Sequence, residues 1–469
     1  MTFPRSRILL TLLVMTLTGA LVPPAASQAD AGSGTSAEAA KKRKVAPRHG
    51  GKVRKAWPAK KSRGNRPNKK LAQFLAKQVG PTVLPKKRKA KVGPLRARTS
   101  STGPLRDFLP SSTTKALRLV RSFDIPANDP AATRMGNLSW TYDSAVAAVA
   151  LINADEKTQA EQLLDQLAAL QRTDGSIDYA FDVSNSASMQ FFNTGAIAWA
   201  GVAAAMYRTT YNSSRYDALA GGTTKWLLSR KLASGLLSTG PGATSASTQH
   251  NIIAWYLLML VTDRLPSGVS ASTVSSVRDG MATAIKRDLL VTVDSNRMAF
   301  NQGANDALRP LDVQSLGVLF LAYDGALGHN PSAATHMSKV YNYLYSAFPV
   351  SGRSITKSAD PLSFNQTYSS TTAYSGFRPY AEGGPDVLWA EGTAQVRFMQ
   401  RALGMSTSSL DNSISAWNLV SSKVGMGPLG SDRTVTGHAV NEYHVWPTSA
   451  AASWQLMGSG GLPTTPGGH

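Results

Sequence analysis

Apolar residues along this chain recur at helical rather than strand spacing, and the stretches come in pairs joined by short polar loops. The first pair spans 139–152 and 156–172, the second helix carrying a stripe of Leu163, Leu164, Leu167 and Leu170. Further pairs follow at 190–207 with 214–230, 248–262 with 270–287, 311–327 with 333–348, and 388–403 with 410–424. A last helix over 446–456 lacks a downstream partner, and an early helix over 112–122 is equally unpaired. If those two pack together, there are six hairpins and the array closes. Strand signals are few; the best, LLVTVD at 289–294, lies between the third and fourth hairpins.

Within each pair the first helix is the more apolar, as in SAVAAVALI, GAIAWAGVAAAM and IIAWYLLMLV. The second carries more Lys, Arg, Glu and Gln, as a layer facing water does. The pattern therefore predicts an all-α fold, an (α/α)6 toroid with an inner apolar ring and an outer amphipathic one. A stack of helical repeats is the rival, but irregular pair intervals with long loops suit a closed ring better.

The chain start changes the picture. Arg5 and Arg7 precede an apolar run over 8–22 and a small-residue stretch, PPAASQADA, the three parts of a secretion signal. Residues 1–31 are read as that signal, which places the protein outside the cell or at its surface. The run is short for crossing hydrocarbon, which takes about 20 residues, and no later segment is a transmembrane candidate. Cysteine is absent, so no disulfide is formed. Residues 41–98 hold 22 Lys and Arg and no acid, while the rest of the chain has 28 of each sign. The net charge of +22 is thus the charge of this stretch. Residues 32–102 are read as a disordered basic arm in which only LAQFLAKQV, at 71–79, has helical spacing. The arm suits an anionic cell-surface polymer. KKRKV at 41–45 also has the look of a nucleic-acid patch, but export argues against that partner. Residues 103–469 form the toroid domain, read as a monomer.

The segment WTYDSAVAAVALINADEKTQAEQLLDQLAALQRTDGSID, 140–178, resembles the opening hairpin of the six-hairpin glycosidase superfamily. STQHNIIAWY (247–256), PLDVQSLGVLFL (310–321), YAEGGPDVLWAEGTAQ (380–395) and NEYHVWPTSAAASW (441–454) are similar to further blocks of that group. The resemblance covers about 135–457. It implies the toroid, and a site built at one face where loops enter the inner helices. It does not imply one reaction, because the superfamily holds hydrolases, lyases, epimerases and non-catalytic members. LQRTDGSI (170–177) also resembles a repeat of terpenoid cyclases, but the acidic motifs of those enzymes are absent.

Polar and aromatic residues crowd the expected inner-helix starts. They are Trp140, Tyr142 and Asp143; Asn193; His250 and Asn251; Asp312 and Gln314; Tyr380, Glu382, Asp386, Trp389 and Glu391; and Glu442, Tyr443 and His444. Acids beside Trp and Tyr fit a polysaccharide or oligosaccharide: aromatic faces stack on sugar C–H surfaces, and two carboxyls flank the glycosidic bond. Asp143, Glu382 and Glu391 are the catalytic candidates. Glu391 is the expected proton donor, because apolar neighbours raise a carboxyl pKa. The others are substrate-binding candidates. No cofactor is called for, since no phosphate loop, dinucleotide fingerprint or nucleophile elbow is present. No metal is expected either: His438, Glu442 and His444 lack helical ligand spacing. The reading is a glycoside hydrolase. A polysaccharide lyase, with Tyr443, His444 or His250 taking a proton and Arg309 or Arg378 neutralising a uronate, is one alternative; a non-catalytic glycan-binding surface protein is the other.

Overall fold

The computed structural model describes residues 66–81, 108–109, 115–354 except 126, 128, 130 and 263, then 373–423, 428–435 and 443–458. The expected signal and most of the basic arm lie outside these residues, as does Glu442.

In chain order, α1 (Arg66–Gln78) and the single turn α2 (Ala132–Met135) precede five hairpins. These are α3 (Thr141–Asn153) with α4 (Lys157–Leu170), α5 (Thr194–Tyr211) with α6 (Asp217–Leu228), and α7 (Thr248–Thr262) with α8 (Ala271–Asp288). Then come α9 (Leu311–Ala326) with α10 (Ala333–Ala347), α11 (Ala390–Ala402) with α12 (Ser408–Lys423), and a final helix α13 (Ser449–Met457). The first helix of each pair is buried on nearly every side. In α5, an unbroken run from Thr194 to Tyr207 is buried, and its alanines and glycines let neighbouring helices approach closely. Each of α3, α5, α7, α9, α11 and α13 packs on its two neighbours, and α13 returns to α3. The inner ring is closed, and the fold is the (α/α)6 toroid.

One element of the sixth hairpin differs from expectation. Residues 115–122 are extended, not helical, and the partner of α13 is α1, from within the basic arm. Leu71, Ala72, Phe74 and Leu75 make one buried stripe on α1, while Lys69, Lys70, Gln73 and Lys77 face water. The domain therefore includes 66–80, and its expected start at 103 is too late. The 115–122 segment follows as a ribbon: Gly80 N donates to Leu119 O, Arg121 N to Gln78 O, and Ser122 N to Leu138 O. Its apolar residues, Leu117, Leu119 and Val120, are buried by that pairing. A helical pattern over so few residues yields to tertiary context of this kind.

The strands are short. β1 (Phe108–Leu109), β2 (Leu138–Trp140), β3 (Ala180–Asp182) and β4 (Ser188–Met189) form one antiparallel sheet in the order β1-β4-β3-β2, with Trp140 opposite Ala180 and Ala180 opposite Met189. β5 (Leu290–Thr292) pairs with β6 (Met298–Phe300), where the strand signal at 289–294 lay, and β7 (Pro349–Arg353) pairs with β8 (Tyr374–Phe377).

The loops are fastened by a device repeated round the ring. The first backbone N–H of every inner helix donates to the carbonyl of the loop leading into the next hairpin: Thr141 to Tyr179, Thr194 to Thr239, Thr248 to Gln302, Leu311 to Pro379, Ala390 to Gly430 and Ser449 to Ser122. Four of those residues also donate a hydroxyl, Thr141 to Asp178 O, Thr194 to Ser238 O, Thr248 to Asn301 O and Ser449 to Arg121 O. These bonds satisfy N–H groups that a helix start otherwise leaves orphaned. A second polar layer lies one turn further on. Ser144, Asn251, Gln314 and Thr393 accept the backbone N–H of Val120, Leu237, Phe300 and Phe377. These four polar side chains in otherwise apolar segments thus hold the loops in place.

Candidate functional site

Because the six inner helices start at one end of the ring, the residues just before them meet round its axis. Trp140, Asn193, Ser247, Pro310, Trp389 and Thr448 all line one cavity of about 700 Å³. Below it, Trp199, Trp454 and Phe398 close the axis edge-to-face, with ring centroids 5.6 Å apart for Trp199–Trp454 and 5.3 Å for Phe398–Trp454. The result is a bowl with an aromatic floor and a polar wall.

Four acids line that wall, Asp143, Asp306, Asp312 and Glu391. Glu391, in the first turn of α11, opens to the cavity and is enclosed by protein elsewhere. Its Oε1 accepts from the Tyr142 hydroxyl at 2.6 Å and from Gln395 Nε2 at 3.3 Å. Tyr142 in turn accepts from Trp454 Nε1 at 2.9 Å. Desolvation pushes the Glu391 carboxyl up to about 8, and the charges of Asp143 and Asp312 push the same way. Burial also takes Asp143 to about 7 against a lowering hydrogen bond from Ser122, and Asp312 to about 6 against backbone N–H groups at the start of α9. Burial, with Glu391 beside it, holds the Tyr142 hydroxyl well above its usual value, so it stays a donor. His250 is neutral, lowered by burial to about 4, and its ring lies where a side chain on Gly195 would be: a Cβ there would sit 2.4 Å from His250 Cδ2.

Of the residues expected from sequence, Trp140, Tyr142, Asp143, Asn193, His250, Asp312, Tyr380, Trp389, Glu391, Tyr443 and His444 line this cavity. Asn193 also caps α5, its side chain accepting from Ala196 N. His444 stacks flat on Trp446 at 3.8 Å. Four residues have other places. Glu382 lines an adjoining cavity of about 330 Å³ with Arg309 and Tyr343, so it is not among the acids of the bowl, which are Asp143, Asp306, Asp312 and Glu391. Asp386 is ion-paired to Arg353 on the surface and held below the usual carboxylate range by that bond. Asn251 and Gln314 face away from the axis; each amide pairs with both the N–H and the C=O of a neighbouring segment, at Leu237 and Phe300. Asn251 and Gln314, at the fourth position of their helices, serve the ring, whereas Asp143, Asp312 and Glu391, at the second or third position of theirs, serve the bowl.

The residues that sequence reasoning missed come from the loops after the outer helices: Ser122, Phe123, Tyr179, Thr239, Gln302 and Asn305 among them. Those loops cap the inner helices, so they must approach the axis. The hydroxyl residue opening four inner helices is the local trace of that capping.

Among the described residues no group of three or more His, Cys, Asp or Glu is arranged to hold a metal ion. No helix among them is long and apolar enough to cross a membrane.

No family model matches the chain, and no curated protein matches it by sequence. Its structure is similar to that of a glycosidase variant solved with glucose, at TM-score 0.51 and 10% identity over 74% of this chain and 91% of that one. It is also similar to a novel alpha-amylase from Clostridium perfringens, at TM-score 0.51 and 10% identity over 84% and 98%. At that identity the likeness concerns the fold. What the chain shares with them is a closed toroid of helical hairpins.

Proposed function

We propose that the protein is a glycoside hydrolase in which Glu391 is the proton donor and Asp143 the second carboxyl. The observation that carries this reading is the state of Glu391: a carboxyl at the wall of an aromatic-floored bowl, held protonated near neutrality by desolvation and by two neighbouring acids. With Oε1 accepting from Tyr142 and Gln395, the proton sits on Oε2. From there it passes to the glycosidic oxygen as the bond to the anomeric carbon breaks. Asp143, ionised, serves the opposite face as base or nucleophile. Asp312, whose pKa is lower than the others, supplies the negative charge that keeps the Glu391 proton in place.

The lyase alternative has less support. It needs a cation to neutralise a uronate, and no Lys or Arg lines the bowl among the described residues. Arg309 lines the adjoining cavity and lies over the Tyr343 ring, while Arg378 lines neither.

The test is a panel of polysaccharides scored for new reducing ends with the wild-type protein and with Glu391→Gln. Cleavage by the wild type and at least a hundredfold less by the variant supports the assignment. Equal cleavage by both removes Glu391 from the role, and binding without cleavage by either leaves a glycan-binding protein.

The protein is further proposed to be exported and held at an anionic surface polymer by residues 41–98. Salt-sensitive retention on such a polymer, lost when 41–65 is deleted, is the expected result. Undiminished retention would refute it.

A further inference from the structure

Among the described residues, one aromatic side chain is strongly exposed: Phe191, at 53%. Exposure of a single apolar residue is ordinary, but the place and support of this one are not. It is two residues ahead of Asn193, the cap of α5 at the cavity edge, so it stands on the rim. Its ring meets Tyr179 edge-to-face, with centroids 5.4 Å apart. Tyr179 lines the cavity and is close enough to Asp143 that this charge, after burial, raises its pKa. An aromatic path therefore runs from the acid at the wall to open solvent.

The rim segment is also held in place. Asp178 ties down both sides of it, accepting from Arg172 at 2.7 Å and from the Ser188 hydroxyl at 2.7 Å. Arg172 lies over the ring of Phe192, 5.1 Å from its centroid. On the far side, the carbonyl of Phe192 is so near Gly240 that a Cβ there would come within 2.6 Å. Phe191 is thus an exposed apolar face on a fixed support. That is costly to leave in water and cheap to use, since little side-chain entropy remains to be lost on binding.

We infer that Phe191 is a sugar-stacking subsite, occupied by a further pyranose unit of the same polysaccharide whose neighbour fills the bowl on the Asp143 side. This rests on the hydrolase reading and adds to it: the substrate is a polymer that leaves the cavity over Tyr179 and Phe191. A cavity of several hundred Å³ holds only a drug-sized portion of such a chain. The remainder must cross the rim, and this is the rim's aromatic face.

The test uses native gels cast with soluble starch, a mixed-linkage β-glucan, dextran or an α-mannan. The parent is the full chain carrying Glu391→Gln, so that it binds without cutting. In the gel that retards this parent, adding Phe191→Ala is expected to weaken binding about tenfold, as loss of an aromatic stack does, and Phe191→Trp to preserve it. Leu327→Ala, at the other exposed large apolar residue and at the opposite end of α9, is expected to change nothing. Retardation of the Phe191→Ala form equal to the parent overturns this inference while leaving the hydrolase reading intact. A parent retarded in none of the gels, and inactive as wild type on the same four polymers, overturns both.

Discussion

Substituting Leu75 tests whether a helix from the basic arm closes the ring. Leu75 is 0% exposed on α1, in a stripe with Leu71, Ala72 and Phe74 that packs on α13. Leu75→Ala removes buried methyl groups and leaves a gap between two helices that the surrounding ring cannot easily fill. The expected loss is about 3 kcal/mol, from transfer plus cavity terms. For a domain of this size each kcal/mol lowers the melting temperature by about 2 °C, so the full-length variant should melt roughly 6 °C early by calorimetry. Gln73→Ala, on the exposed side of the same helix, should melt with the wild type. An unfolded arm, as its charge suggests, would make both substitutions silent. Equal melting temperatures for Leu75→Ala and wild type would therefore refute the docking of α1. A chain beginning at 103 should lose the whole contact and fail to melt cooperatively, while one beginning at 64 should behave as the intact protein.

The remaining predictions concern the bowl. Activity should fall as pH rises through about 8, where Glu391 loses its proton, and as pH drops below about 7, where Asp143 gains one, the apparent values belonging to the coupled acids together; a pH–rate profile that stays flat from 6 to 9 would contradict this. A carboxyl raised in the folded state from a reference of about 4.3 binds its proton more tightly there than in the unfolded chain, so its contribution to stability is complete at acid pH and lost as pH rises to about 8. Glu391→Gln does not titrate, so its melting temperature should gain on the wild type between pH 5 and 8, a difference on the order of a few kcal/mol. Ser122→Ala removes a hydrogen bond that lowers the Asp143 pKa and orphans Trp140 N–H, so carbon-13 titration should find Asp143 above about 7, with about 1–3 kcal/mol lost. Gly195→Ala puts a Cβ 2.4 Å from His250 Cδ2, so the imidazole must move; a cost of about 1–3 kcal/mol and altered His250 ring resonances are expected, and unchanged spectra would count against the packing.

The helical pattern was legible in the chain because inner helices must be apolar on all sides and outer ones on one. The segment 248–262 was located to the residue, and its neighbours to within a turn or so. Polar chemistry was harder to place, because a polar residue in an apolar helix start has two possible duties. Asp143 and Asn251 read alike in sequence; the first, third in its helix, faces the axis, while the second, fourth in its helix and so turned about 100° further round, clamps the backbone of Leu237. Glu382 was misplaced for another reason: the glycines after it, Gly383 and Gly384, belong to a loop that carries it past the rim to the Arg309 cavity. The sixth outer helix was hidden by charge. Three lysines on α1 read as part of a solvated arm, although they occupy only the side that Leu71 and Leu75 leave to water.

That hidden helix binds the ends of the chain to the chemistry. Gln78 and Gly80, at the end of α1, hold the ribbon at Leu119 and Arg121. The next residue, Ser122, accepts the first N–H of α13 on its carbonyl, accepts Trp140 N–H on its hydroxyl oxygen, and gives its hydroxyl hydrogen to Asp143. In every other sector of the ring the loop that caps an inner helix follows that hairpin's own outer helix directly. Here the outer helix comes from the far end of the sequence, so the same ribbon must both close the ring and set the proton affinity of a cavity acid. Any force on the basic arm that loosens α1 acts first on Ser122, and only through it on Asp143.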